Sequence, residues 1–143
     1  MKNLIIYTDG AYSSARNQGG IGLVFTQDGE ELKVYSKMFK NVTNNKMELV
    51  AVLIALQTVA SNIETDEVTI RTDSQYVIGC ATKGWKRKKN IKLWSKYDKI
   101  KEILDSKKIN VKFEWVHGHN GDKFNERADV LAVEASQEID LDS

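Results

Sequence analysis

The feature that most constrains this chain is the run Ile5-Ile6-Tyr7-Thr8-Asp9-Gly10, in which apolar and β-branched side chains lead straight into an aspartate and a glycine. Ile, Tyr and Thr favour a strand, and apolar residues on both phases of the alternation call for cover on both faces. A carboxylate near the end of such a strand is costly to bury unless backbone N–H groups or a cation compensate it. The pattern returns once, in Glu67-Val68-Thr69-Ile70-Arg71-Thr72-Asp73, an apolar strand that again ends in Thr-Asp.

The segments between and after these strands read as follows. Ala11 to Gly20 is small and polar, a loop. Ile21 to Thr26 is a strand, Gln27-Asp28-Gly29-Glu30 a turn with Asp-Gly chemistry, and Glu31 to Phe39 a third strand. Thr43-Asn44-Asn45 offers side-chain oxygens for a helix N-terminus, and Met47 to Ala60 follows with Met47, Val50, Leu53, Ile54 and Leu56 at helical spacing. A helix begins at Ser74, with Asp73 or Ser74 as its cap, and Leu93 to Leu104 forms an amphipathic one. Asn110 to Val116 is the fifth strand, His117 to Gly121 a loop, and Asp122 to Gln137 the last helix.

The order β-β-β-α-β-α-α-β-α predicts an α/β fold with a five-stranded mixed sheet, three antiparallel strands and then two parallel ones, flanked by helices. Helical crossovers would set the first and fourth strands side by side, so that Asp9 and Asp73 emerge together in the crevice where open α/β sheets hold their sites. Glu48 near the start of the first long helix and Asp129 beside the apolar face of the last one join them as candidates. Each acid has a plainer explanation alone: a hydrogen-bonded turn for Asp9, the helix dipole for Glu48, capping for Asp73. Together they demand more. Carboxylates a few ångströms apart raise one another's pKa or recruit cations, and all-oxygen ligation suits Mg²⁺ or Mn²⁺ rather than zinc.

Composition limits the alternatives. At 143 residues, with 41% hydrophobic and 29% charged content, the chain reads as one soluble domain over residues 1–143, residues 137–143 being an acidic tail. No apolar run approaches the roughly 18–20 residues of a membrane span. The start Met1-Lys2-Asn3 enters a strand at once, which reads as a chain without a signal peptide. A single Cys80 leaves no internal disulfide and fits a reducing, cytoplasmic setting. Formal net charge is only +1, so any affinity for polyanions must be local. The stretch Lys83 to Lys92 supplies it, with Lys83, Lys86, Arg87, Lys88, Lys89 and Lys92 around Trp85 and no acid between them.

Four blocks in order carry a resemblance: Thr8-Asp9-Gly10; Thr43-Asn44-Asn45-Lys46-Met47-Glu48-Leu49; Thr72-Asp73-Ser74-Gln75-Tyr76; and Trp115-Val116-His117-Gly118-His119 with Asn125-Glu126-Arg127-Ala128-Asp129. Any one is weak. In this order, from about residue 3 to 136, they closely resemble the type 1 ribonuclease H family. The resemblance implies hydrolysis of the RNA strand of an RNA–DNA hybrid by in-line attack of water, giving 5′-phosphate and 3′-hydroxyl ends. It implies two Mg²⁺ ions on Asp9, Glu48, Asp73 and Asp129, with Asp9 bridging and Mn²⁺ expected to substitute. His119 matches the loop histidine that assists proton transfer or product release; His117 matches nothing catalytic. Asn44, Asn45 and Gln75 match side chains that hydrogen-bond the hybrid across its minor groove, where the 2′-hydroxyl marks the RNA strand. Gly10 reads as room for a backbone to pass close to substrate.

Two positions depart from the family pattern. Ala15 stands where many relatives carry an asparagine, and Asn17 nearby either takes its place or leaves it vacant. The interval from Tyr76 to Trp94 is too short for the full basic protrusion of some members. Lys86, Arg87, Lys88 and Lys89 are therefore expected to bind substrate from a shorter loop, in a salt-sensitive way. The expected protein is a monomeric enzyme that needs no protein partner. Rival readings are a hybrid- or duplex-RNA-binding module on a degenerate nuclease fold, a transposase or resolvase core, and a reverse-transcriptase fragment. The full set of acids opposes the first, the compact length the second, and the Met start before the first strand the third.

Overall fold

The central strand of the molecule is the one that carries Asp9. The computed structural model describes residues 3–116 and 122–139, and its elements are β1 (Leu4–Ser13), β2 (Gln18–Gln27), β3 (Glu30–Lys40), α1 (Asn44–Asn62), β4 (Glu67–Thr72), α2 (Gln75–Thr82), α3 (Ile91–Ser106), β5 (Asn110–Trp115) and α4 (Lys123–Ser136). The sheet order is β3-β2-β1-β4-β5. The first three strands are antiparallel, and β4 and β5 continue parallel to β1, as the element order implies.

The stretch from Ala11 to Gly20 corrects the sequence reading. β1 runs on to Ser13 and β2 starts at Gln18, in unbroken register from Leu4 opposite Gln27 to Ser13 opposite Gln18. Only residues 14–17 turn. Tertiary partners override the polar composition here: Gln18 is buried and its Nε2 donates to the carbonyls of Ser136 (2.9 Å) and Glu138 (2.6 Å).

The two faces of β1 meet different helices. Leu4 and Ile6 face a core shared with α1, where Met47, Leu49, Val52 and Leu56 are fully enclosed. Burial extends almost all round α1 because the sheet covers one side and α3 the other. On α3 the buried residues are Trp94, Tyr97, Ile100 and Leu104, while Ile103 is 43% exposed. Tyr7 and Val24 face the opposite layer with Ala128 of α4. That helix rests directly on β2: a Cβ on Gly22 would lie 2.1 Å from the Ala128 carbonyl oxygen and 2.8 Å from the Ala132 nitrogen. Among the described residues no helix is long and apolar enough to cross a membrane.

Candidate active site

The stretch Asp9-Gly10 within β1 is where both layers converge. A Cβ on Gly10 would come within 2.6 Å of both the Glu48 nitrogen and the Met47 carbonyl carbon. Glycine is required here so that the first turns of α1 can lie against the strand. The backbone that needs this space is the protein's own, so the reading of Gly10 as room for substrate gives way to a structural one. The contact also places Glu48. It stands beyond the first turn of α1, so the helix-dipole explanation lapses, and its Oε1 accepts the Gly10 N–H.

Asp73 follows the last residue of β4, next to β1 in the sheet. It does not cap α2; that is Ser74, whose Oγ accepts the Val77 N–H at 3.1 Å. Carboxylate oxygens of Asp9, Glu48 and Asp73 all lie within 4.8 Å of one another, the first two buried and the third exposed. Asp129 reaches the group from α4, where its carboxyl interacts with that of Asp9 by hydrogen bond and by charge. The start of α4 is pinned by Asp122, whose Oδ1 accepts the N–H groups of Phe124 (3.0 Å) and Asn125 (3.4 Å), with Oδ2 3.7 Å from Arg71 of β4.

Crowding sets the protonation of this cluster. Burial first, and then the negative charge of Asp73, push the Asp9 carboxyl up to about 8; the hydrogen bond with Glu48 works the other way. Glu48 is held well above the ordinary carboxylate range, by burial and then by the charge of Asp9. The charged groups that act most strongly on these two are other acids. The Gly10 N–H, 2.9 Å from Asp9 Oδ1 and also donating to Glu48, is too little to stabilise two carboxylates. An oxygen-only donor set of this kind fits a hard divalent cation such as Mg²⁺ or Mn²⁺.

The other expected site residues divide into two clefts. Asn44 and Asn45 open α1 behind Thr43, whose Oγ1 caps the helix by accepting the Lys46 N–H at 3.2 Å. They line a cleft of about 520 Å³ with Tyr76, Lys86, Lys88 and Lys89. Gln75 instead lines a smaller cleft of about 160 Å³ with Ile78, Lys83, Trp85 and Trp115. This one abuts the acids, since Trp115 Nε1 donates to the Asp73 carbonyl at 3.3 Å. A larger cavity of about 570 Å³, between α1, α3 and the end of β3, is lined by none of the acids.

Arg87 departs from its expected part. Its side chain is engaged within the protein, against Asp98 and the Cys80 carbonyl, whereas Lys86, Lys88 and Lys89 are exposed. Asn17 is engaged too, accepting from the Tyr12 hydroxyl (3.0 Å) and donating to Asn41 Oδ1 (2.9 Å). His117 and His119 lie outside the described residues. The sequence reading does not single out Tyr76 or Trp115 as lining residues. Tyr76 sits inside the Thr-Asp-Ser-Gln-Tyr block, and its place beside Gln75 is the signal that would have found it.

Comparison with known proteins follows the same lines. The family model described as RNase H matches residues 1–137. A ribonuclease H of Trichodesmium erythraeum is 38% identical over 150 aligned residues, covering 98% of this chain and 92% of its own. Among solved structures, the RNase H1 of the halophilic archaeon Halobacterium salinarum has a TM-score of 0.75 at 28% identity, covering 93% of this chain and 96% of that one. LC11-RNase H1, solved in complex with an RNA/DNA hybrid, has a TM-score of 0.76 at 31% identity, with coverage of 93% and 96%.

Proposed function

The chain belongs to the ribonuclease H family, and from that premise we propose that it hydrolyses the RNA strand of RNA–DNA hybrids with two divalent metal ions, Mg²⁺ with Mn²⁺ able to substitute. The observation that carries this reading is the meeting of Asp9, Glu48 and Asp73 within 4.8 Å, with Asp129 beside Asp9. These four carboxylates would hold the ions, with Asp9 shared between them. Ions held there would supply a Lewis acid to activate a water and to stabilise the leaving oxygen of a phosphodiester.

The protein's own groups do the rest. Gly10 lets α1 close on β1, which fixes Glu48 relative to Asp9 before any ion arrives. That preorganisation is what gives a charged site its catalytic value. Asn44 and Asn45 present short amides to base edges and 2′-hydroxyls in the minor groove, and Gln75 does so from the second cleft. Lys86, Lys88 and Lys89 meet the phosphate backbone, so recognition depends on hybrid shape and charge more than on sequence. His119 is assigned proton transfer or product release on the strength of the family resemblance.

The test is cleavage of end-labelled RNA in a uniform hybrid, in a duplex with one ribonucleotide and in double-stranded RNA, with Mg²⁺ and with Mn²⁺. The expected result is metal-dependent cutting of the hybrid's RNA strand, leaving 5′-phosphate and 3′-hydroxyl ends. Cutting of the DNA strand, or 2′,3′-cyclic phosphate ends, would contradict the reading.

A further inference from the structure

The basic stretch between α2 and α3 has no regular structure, yet it must hold several lysines at one cleft. Between Gly84 and Lys88 the backbone forms neither helix nor strand. Repulsion among neighbouring cations favours splaying such a segment apart. The backbone at Trp85 is tied to α2 by its N–H, which donates to the Gly79 carbonyl at 3.2 Å, and among the basic residues it is Arg87 whose side chain opposes splaying. Arg87 Nη1 donates to both carboxylate oxygens of Asp98 on α3, at 2.9 Å each, and Nε donates to the Cys80 carbonyl near the end of α2, at 3.2 Å. Its guanidinium carbon lies 4.5 Å from the centre of the Trp94 ring and 5.7 Å from that of Tyr97.

The anchor continues into the cleft wall. Trp94 is fully buried and donates its Nε1–H to the Tyr76 hydroxyl at 2.9 Å, and Asn90 Nδ2 donates to the same oxygen at 3.0 Å. Tyr76 and Asn90 themselves line the cleft with Lys86, Lys88 and Lys89. Arg87 therefore ties the middle of the loop to α2, to α3 and, through Trp94, to the residue beside Gln75. Planar stacking plus a forked donor set is a task for which lysine is a poor substitute.

We propose that Arg87 is a positioning residue: clamped by Asp98 and stacked on Trp94, it holds the loop so that Lys86, Lys88 and Lys89 face the hybrid together. The clamp deepens the substrate-binding part of the function proposed above and rests on it. It reverses the usual sign of a surface charge. Removing an exposed acid near a polyanion site ordinarily strengthens binding, by reducing repulsion. Here, removal of the acid Asp98 weakens binding, because the basic side chains lose the tether that aims them.

The experiment is steady-state hydrolysis of a uniform hybrid at several salt concentrations, with thermal unfolding recorded for every variant. Asp98→Ala is expected to raise KM about three- to tenfold and to leave kcat within twofold. Glu102→Ala, which removes an exposed acid one turn further along α3, is expected to leave KM unchanged or slightly lower. Arg87→Lys keeps the charge but not the fork, and is expected to raise KM as far as Asp98→Ala does. The double variant should add nothing further. A KM for Asp98→Ala equal to or below that of the wild type, or a silent Arg87→Lys, overturns the proposal. The variant with Lys86→Ala, Lys88→Ala and Lys89→Ala separates the two levels. If it raises KM while Asp98→Ala does not, only the clamp is wrong. If it leaves KM and its salt dependence unchanged, the loop does not meet the hybrid and both fall.

Discussion

The carboxylate cluster and the basic loop are held by opposite means. Asp9, Glu48 and Asp73 sit on two neighbouring strands and a 19-residue helix, with backbone against backbone at Gly10. Lys86, Lys88 and Lys89 sit on irregular chain tied down by the side chain of Arg87. The first region sets two buried carboxylates against an exposed third and is electrostatically uncomfortable; the second is exposed to solvent. The contrast teaches a division of labour. On the proposed function, groups that must keep a fixed geometry during the chemical step are mounted on the core, and groups that would gather substrate are mounted where they can yield. Substitutions in the first region should act on kcat and metal affinity, those in the second on KM and salt dependence.

The largest effect should come from Asp73→Asn. Steady-state hydrolysis of a hybrid should show kcat lower by on the order of 10³-fold, with KM within about threefold. A fall in affinity with normal turnover would erase the division. Gly10→Ala comes next. Its methyl group would meet α1 backbone at 2.6 Å, which nothing flexible can relieve. Overpacking should cost about 1–3 kcal/mol in denaturant unfolding, and displacement of Glu48 should lower kcat by roughly 10²-fold.

Protonation sharpens the contrast. The folded-state pKa of Asp9, about 8, lies above its ordinary value of 3.8, so the native protein keeps a proton that the unfolded chain releases between those values. Glu48 is shifted in the same direction. Metal-free stability should therefore fall as pH rises from about 4 to about 8 and level off above. In chelator, Asp9→Asn should flatten that fall and melt roughly 5–10 °C higher than the wild type at pH 9. A wild-type melting temperature that rises over this window contradicts the assignment. The variant lacking Lys86, Lys88 and Lys89 should leave the pH profile unchanged. It should raise KM about tenfold at moderate salt and make the log–log salt slope shallower by roughly two to three. The smallest effect is expected for Asn44→Ala, a few-fold rise in KM for the hybrid, consistent with one lost hydrogen bond.

How much of this was legible in the sequence follows the same divide. Asp9 and Asp73 could be found because each follows an apolar run in the same Thr-Asp pattern, and the parallel pairing of β1 with β4 brings the two together, although β1 itself continues to Ser13. The sheet order followed from the order of elements. Glu48 was found, but for its position in a helix rather than for the hydrogen bond from Gly10, which depends on two chain segments meeting. Nothing local in Ser13 or Gln18 announces a strand, because Gln18 is satisfied by carbonyls more than a hundred residues later. Arg87 looked like its neighbours in a basic run, and only the fold brings Asp98 and Trp94 to it. Gln75 and Tyr76 adjoin in one motif yet line separate clefts for the same reason: sequence spacing within a motif does not fix which cleft a side chain joins.

The most direct test of the central claim is calorimetric titration of Mn²⁺ into metal-free protein at pH 7, in two buffers of different ionisation enthalpy. Carboxylates held protonated by burial and by one another must release protons when a cation displaces them. The wild type is expected to bind Mn²⁺ with release of about one proton or more, and Asp9→Asn to bind at least tenfold more weakly with less release. Equal affinity and equal proton release in the two proteins would contradict the claim that Asp9 anchors a metal-dependent active site.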